Sequence, residues 1–147
     1  MNKNIFITGG TAGIGKSLIN KFSNQNYNIF FTYFKNVKEA KIISKNLKMN
    51  KVKHKYVKMD LNKTKSIENA FKVFLKDFKK MDIFINNASP NVMRSKFLNL
   101  KNKEIENYVK ILASGNIITI KKALSLMLKN KSKNIKNIIN ISFYASI

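Results

Sequence analysis

Cysteine is absent from all 147 residues, which excludes disulfide bridges and thiolate metal sites, and the single histidine, His54, cannot build a multi-histidine metal centre. This composition suits a reducing compartment, and the chain is read as cytoplasmic. Long hydrophobic runs are also missing. No apolar stretch approaches the length of a membrane span, and the run Ile5 to Thr8 breaks at Gly9 and Gly10 too early for a secretory signal, so no membrane partner is expected. Proline occurs once, at Pro90, and neither an internal repeat nor a low-complexity linker marks a boundary. Residues 1–147 are therefore taken as one domain.

Acid is scarce as well: seven Asp and Glu stand against 29 Lys and Arg, for a formal charge of +22. A field of that sign attracts polyanions. Specific readers of phosphate and bases lean on arginine's bidentate fork, however, and the only arginine here is Arg94. The lysines are scattered among Asn and Ile, which predicts solvated surface and no specific nucleic-acid partner. Disorder is not expected either, because 44% of the residues are hydrophobic and they are spread along the whole length.

What is present alternates between short apolar runs and helical stripes, the pattern of strands and helices around a parallel sheet. Strands are predicted at Lys3 to Thr8, Tyr27 to Tyr33, Val52 to Met59, Met81 to Asn86 and Ile135 to Ser142. Between them, Ile14, Leu18, Ile19 and Phe22 mark a first helix. A second opens at Asn36, which with Glu39 resembles a capping box, and runs through Ala40, Ile43 and Leu47. Ile67, Ala70, Phe71, Phe74, Leu75 and Phe78 give a third helix whose phenylalanine stripe reads as core. Lys103 to about Lys129 is one long helix or a pair kinked at Gly115. The fold class is thus α/β, an open parallel sheet in the order 3-2-1-4-5 with helices on both faces. Ligands of such sheets bind beyond the carboxyl ends of the strands.

Three groups of residues fall at those strand ends. Thr8-Gly9-Gly10-Thr11-Ala12-Gly13-Ile14-Gly15 joins the first strand to the first helix and holds four of the chain's five glycines, with Gly9, Gly13 and Gly15 at the motif positions. Such a turn lets the backbone approach a pyrophosphate closely and offers it the N–H groups of a helix start. Gly10 to Ser17 also matches formally the phosphate loop of nucleotide triphosphatases, the runner-up for this loop. Asp60-Leu61 follows the third strand and Asn86-Asn87-Ala88 the fourth. Read without context, Asp60 is a helix cap and Asn86-Asn87 an Asn turn.

In this order and at these places the three motifs resemble the short-chain dehydrogenase/reductase family, which decides against the triphosphatase. The resemblance implies a Rossmann-like fold and an NAD(P)-dependent oxidoreductase transferring hydride between cofactor and a small carbonyl or alcohol substrate. It places Gly9, Gly10, Thr11, Gly13, Ile14 and Gly15 around the cofactor, Asp60 and Leu61 by the adenine, and Asn86, Asn87 and Ala88 on the adenosine ribose side. Ser89 departs from the family, which usually has Gly there. A homo-oligomer is compatible with the resemblance.

The end of the second strand chooses the cofactor: an acid there suits the ribose hydroxyls of NAD, a base the extra phosphate of NADP. Thr32-Tyr33-Phe34-Lys35-Asn36 carries no acid, which favours NADP over NAD, with Lys35 as phosphate partner and Lys16 as a second candidate.

The catalytic set the resemblance implies is not complete. The family uses a Tyr with a Lys four residues on, and no Tyr in residues 1–147 is so followed. Ser142 is the candidate for the family serine, although Phe143 stands at the usual place. The family's helical Asn aligns with Leu112, and Asn116 reads as an ordinary helix residue. The chain therefore reads as the front part of a family member without its Tyr/Lys helix and later strands. The alternative is a shortened, non-catalytic module for dinucleotide binding or interaction.

Overall fold

The computed structural model describes residues 2–90, 97–130 and 135–141. A five-stranded parallel sheet forms from β1 (Asn4–Ile7), β2 (Asn28–Tyr33), β3 (His54–Lys58), β4 (Ile83–Asn86) and β5 (Asn137–Asn140), in the order β3-β2-β1-β4-β5. The helices are α1 (Gly13–Ser23), α2 (Val37–Met49), α3 (Thr64–Phe78), α4 (Asn102–Val109) and α5 (Asn116–Lys129). The sheet order is the one expected from the sequence, and each strand is shorter than its apolar run by the residues that lead into turns.

Strand side chains alternate between the two faces of a sheet, and this chain uses different residues on each. Phe6, Phe30 and Phe84 point to one side, where Ile67, Ala70, Phe71, Phe74 and Phe78 of α3 and Ala123 and Met127 of α5 meet them. Ile5, Ile7, Ile29, Phe31, Ile83 and Ile85 point to the other, against Ile19 of α1 and Ala40, Ile43 and Leu47 of α2. Register brings like residues side by side: Phe6 lies opposite both Phe30 and Phe84, and Ile5 opposite both Ile29 and Ile83. Phe6 is the hub of the aromatic side, with ring centroids 4.6 Å from Phe30, 4.9 Å from Phe71, 5.4 Å from Phe74 and 5.5 Å from Phe84. The phenylalanine stripe of α3 is core, as expected, but Leu75 is not: it is 38% exposed, beside Lys122 and Leu126 of α5.

Three further differences from the sequence reading have local causes. The long helix is continuous over Asn102–Lys129, as the first of the two expectations had it, but it is not α-helical throughout. A π-helical stretch, Lys110–Gly115, joins α4 to α5 where Gly115 presses on Leu61; a Cβ on Gly115 would stand 2.6 Å from the Leu61 carbonyl oxygen. The run Asn102–Lys129, with an 18-residue window of mean hydropathy 1.4, is long and apolar enough to cross a membrane by length and composition, contrary to the sequence reading. Here Thr119, Ala123 and Met127 pack it onto the sheet. Finally, only half a capping box forms at α2. Asn36 Oδ1 accepts from Glu39 N–H at 3.1 Å, while the Glu39 carboxylate turns to Lys16.

The aromatic hub sets an expectation for stability. Phe6→Ala should lower the unfolding free energy by about 3–5 kcal/mol, as large-to-small changes in a closed core do. Urea unfolding followed by circular dichroism measures this, and a loss below about 1 kcal/mol would show that the hub collapses without cost.

Candidate functional site

β1 and β2 end in residues that change the chemistry of the sheet from apolar to hydrogen-bonding. Thr8 and Thr32 are buried hydroxyls at the carboxyl ends of otherwise apolar strands. Thr8 Oγ1 accepts from the backbone N–H of Asn87 and of Ala88, each at 2.9 Å, which ties the end of β1 to the turn after β4. The Asn87 side-chain amide completes the clasp by donating to the carbonyls of Thr8 at 2.9 Å and Gly9 at 3.1 Å. On the other flank Gly9 N–H donates to Thr32 Oγ1 at 3.2 Å and Gly10 N–H to the Thr32 carbonyl at 2.8 Å. The glycine turn is thus anchored to β2 and β4 at once.

Close packing explains the glycines one by one. Gly9 has φ +68°, and a Cβ there would stand 2.9 Å from Ala88 Cα. One on Gly10 would strike Ile19 at 2.6 Å and Phe31 at 2.8 Å, and one on Gly15 would run into the Gly9 carbonyl oxygen and Asn87 Nδ2. Gly13 is the exception. Its φ is +46°, yet a Cβ there meets nothing within 4 Å. Three glycines close the turn on the protein, and the fourth lines open space at the first residue of α1. That helix start has Ala12 at its cap position, with no side-chain cap and no acid in the first turn. Uncapped N–H groups and the positive end of the helix dipole meet there, an arrangement suited to an anion. Ile14 beside them is exposed, unusual for an isoleucine in a βα turn.

The other sequence-derived residues take distinct places. Asp60 does not cap α3, whose cap position is Lys63. Asp60 Oδ1 accepts from Asn62 N–H at 3.0 Å, and Asp60 N–H donates to Ser66 Oγ at 2.9 Å. Leu61 packs under Gly115. Asn62 Nδ2 reaches Asn107 Oδ1 at 2.9 Å, so the β3 end is joined to α4. Asn86 Oδ1 accepts from Thr119 Oγ1 and Asn86 Nδ2 donates to Asn140 Oδ1, both at 3.3 Å, linking β4 to α5 and β5. Lys35 has its ammonium 5.7 Å from the Phe34 ring and no carboxylate within ion-pair distance among the described residues. Lys16 does have one: its Nζ lies 2.8 Å from Glu39 Oε1. Thr11 lies in the turn between Gly10 and the start of α1. Ser142, the candidate catalytic serine, lies outside the described residues.

A family model described as short chain dehydrogenase matches residues 3–146, nearly the whole chain. The chain belongs to the short-chain dehydrogenase/reductase family. Glucose 1-dehydrogenase 2 of Bacillus subtilis is 26% identical over 140 residues, which cover 95% of this chain and 54% of that protein. The chain spans about half the length of the curated relatives it matches. Among solved structures, NADH-dependent reductase A1-R′ complexed with NAD superposes with TM-score 0.82 at 19% identity, over 95% of this chain and 58% of that one. A short chain dehydrogenase of Burkholderia cenocepacia in complex with NADP gives TM-score 0.79 at 19% identity, over 85% and 51%. These likenesses are of fold.

Within the family frame, sequence reading named Thr8, Thr32, Gly115 and Glu39 but not the contacts they make. Thr32 is a polar residue just after the run Ile29-Phe30-Phe31, and Gly115 is the only glycine outside the loop; the first marks a hydrogen-bonding strand end and the second a close approach. Glu39 left no such signal, because its partner Lys16 lies one βα unit away.

Removing the Thr8 hydroxyl tests the clasp. Thr8→Val keeps the shape but leaves two N–H groups without their acceptor, a loss of about 1–3 kcal/mol for each buried group. Thermal unfolding should report a lower midpoint, and amide exchange should rise at Asn87 and Ala88 first. Unchanged exchange at those two amides would contradict the assigned role.

Proposed function

We propose that this chain binds a nicotinamide dinucleotide, NADP(H) in preference to NAD(H), across the carboxyl ends of β3, β2, β1 and β4. In this reading the pyrophosphate lies on the first turn of α1, against Gly13, Ile14 and Gly15, with Gly9, Gly10 and Thr11 forming the turn beneath it. Asp60 and Leu61 flank the adenine, Asn86 to Ala88 flank the ribose side, and Lys35 meets the 2′-phosphate. The reaction class is hydride transfer between the cofactor and a small carbonyl or alcohol substrate. A bound nicotinamide ring would supply or accept the hydride.

The observation that carries the reading is the contrast among the glycines. Gly9, Gly10 and Gly15 are required by protein atoms that a Cβ would strike, whereas Gly13 faces open space beside an uncapped helix start. The positive φ of Gly13 favours glycine on backbone grounds, but no protein atom fills the space beside it, and that open space at an uncapped helix start suits a phosphate. NADP is favoured by Lys35, a cation at the end of β2 without an acidic partner.

Proton transfer is a separate matter. A positioned general acid/base contributes typically about 10²–10⁴-fold. Residues 1–147 hold no Tyr followed four positions on by Lys, and Leu112 stands at the family's helical Asn. By themselves these residues bind the dinucleotide and do not turn over a carbonyl. The same two features support the second reading, a non-catalytic dinucleotide-binding module.

Fluorescence titration with NADPH at about 150 mM salt, where surface charges are screened beyond about 8 Å, tests the site. Gly13→Asp finds space for its side chain but strains a backbone with φ +46°, so it should keep its circular dichroism with a lowered unfolding midpoint, yet lose NADPH affinity by at least about tenfold through charge and steric exclusion of the phosphates. Equal affinity of the two proteins would remove the site from Gly13. Steady NADPH oxidation with a carbonyl substrate would overturn the catalytic half.

A further inference from the structure

Acids are few in this chain, and one of them stands where the two cofactors differ. β1 and β2 are adjacent, with Ile7 opposite Phe31, so the helices that follow them start side by side at the same end of the sheet. Lys16 belongs to the first turn of α1, three residues after the open position at Gly13. Glu39 is the third residue of α2, just after the end of β2 that holds Lys35. The pair Lys16–Glu39, 2.8 Å apart, therefore spans from the glycine turn to the place where an adenosine ribose is read.

The two partners are not equally free. Glu39 is held by its helix, its N–H capped by Asn36 Oδ1 at 3.1 Å, and its side chain is only 20% exposed. Lys16 is the longer arm and 48% exposed. Glu39 Oε1 has no aligned hydrogen bond among the described residues, so the attachment of Lys16 is ionic rather than directional. Removing the charge on Glu39 should thus release Lys16, whereas the carboxylate would stay in place without Lys16.

We propose that Glu39 is the specificity-determining residue of the adenosine end, and that it limits preference for NADP(H) by engaging Lys16. This rests on the dinucleotide reading above. A 2′-phosphate carries close to two negative charges and a 2′-hydroxyl none. With Lys16 neutralised, the phosphate meets one uncompensated cation, Lys35, and a nearby carboxylate that repels it. The site then discriminates weakly and accepts NAD(H) as well. With Glu39 neutral, Lys16 is a second cation for the phosphate, and nothing changes for the hydroxyl.

The test is a double-mutant cycle read as dissociation constants for NADPH and NADH at about 150 mM salt. Glu39→Gln should tighten NADPH by about five- to tenfold, the scale of one added charge-assisted contact, and alter NADH less than about twofold. Lys16→Met should leave NADPH within about twofold, because its ammonium is already engaged. The double variant should lose the gain that Glu39→Gln provides. An unchanged NADPH affinity in Glu39→Gln would overturn the proposal, as would an equal gain for NADH, which marks a general charge effect. A gain that persists in the double variant would overturn it too, since Lys16 would then have no part. If Glu39→Gln does not fold, Lys16→Met decides: a large loss of NADPH affinity would show Lys16 already on the phosphate. A wild-type chain that binds neither dinucleotide fails the underlying reading instead, and is recognised by that double absence.

Discussion

The Thr8 hydroxyl holds together the end of the sheet on which everything else depends. Two backbone N–H groups from the turn after β4 converge on it at 2.9 Å, and the Asn87 amide returns two bonds to the carbonyls of Thr8 and Gly9. A parallel sheet opens at its carboxyl end because successive strands leave in crossovers toward opposite faces. That opening exposes backbone groups, and here they are paired across the gap between β1 and β4 by one hydroxyl and one amide. The glycine turn then has no freedom left. It is pinned to Thr32 on one side and to Asn87 on the other, and Gly15 passes directly over the Gly9 carbonyl.

Beneath this clasp, the two-sided core keeps the strands in register. Large rings on one face and, Phe31 apart, branched aliphatics on the other make the faces non-interchangeable, so a slip of one residue would exchange Phe6 with Ile5 and Ile7. The register in turn sets Thr8 level with the turn after β4 and Thr32 beside Gly9 and Gly10. Packing on the faces and hydrogen bonds at the end are thus one arrangement, in which the sheet supplies the positions and the polar strand ends supply the site.

Much of this was legible from residue order. Apolar runs separated by helical stripes predict the strands and their crossovers, and Gly9 to Gly15 between a run and a stripe predicts the tight turn. What was not legible depends on distance through space. Asn36 and Glu39 have capping-box spacing, yet the carboxylate is drawn to Lys16 across the gap between α1 and α2. Leu75 fits the helical stripe of α3 but stays partly exposed, in a groove between α3 and α5 that it lines with Lys122 and Leu126. The π-helical stretch before α5 follows from the approach of Gly115 to Leu61, a contact between residues far apart in the chain. Asp60 reads equally as helix cap or ligand contact by type, and only its bond to Asn62 N–H shows that it does not cap α3.

The high charge makes a site on a glycine turn hard to separate from diffuse attraction of any polyphosphate to lysines. Amide chemical shifts distinguish them, because a backbone cradle perturbs the N–H groups that face the ligand whereas screened lysines respond broadly. The most direct measurement is a ¹H–¹⁵N correlation spectrum of the chain, titrated with NADPH at about 150 mM salt. The account predicts saturable shifts concentrated at Gly13, Ile14 and Gly15, with smaller ones at Asp60, Leu61 and Asn86 to Ala88. Shifts spread over the lysine-bearing outer faces of α2 and α3, with Gly13 to Gly15 unmoved, would contradict it.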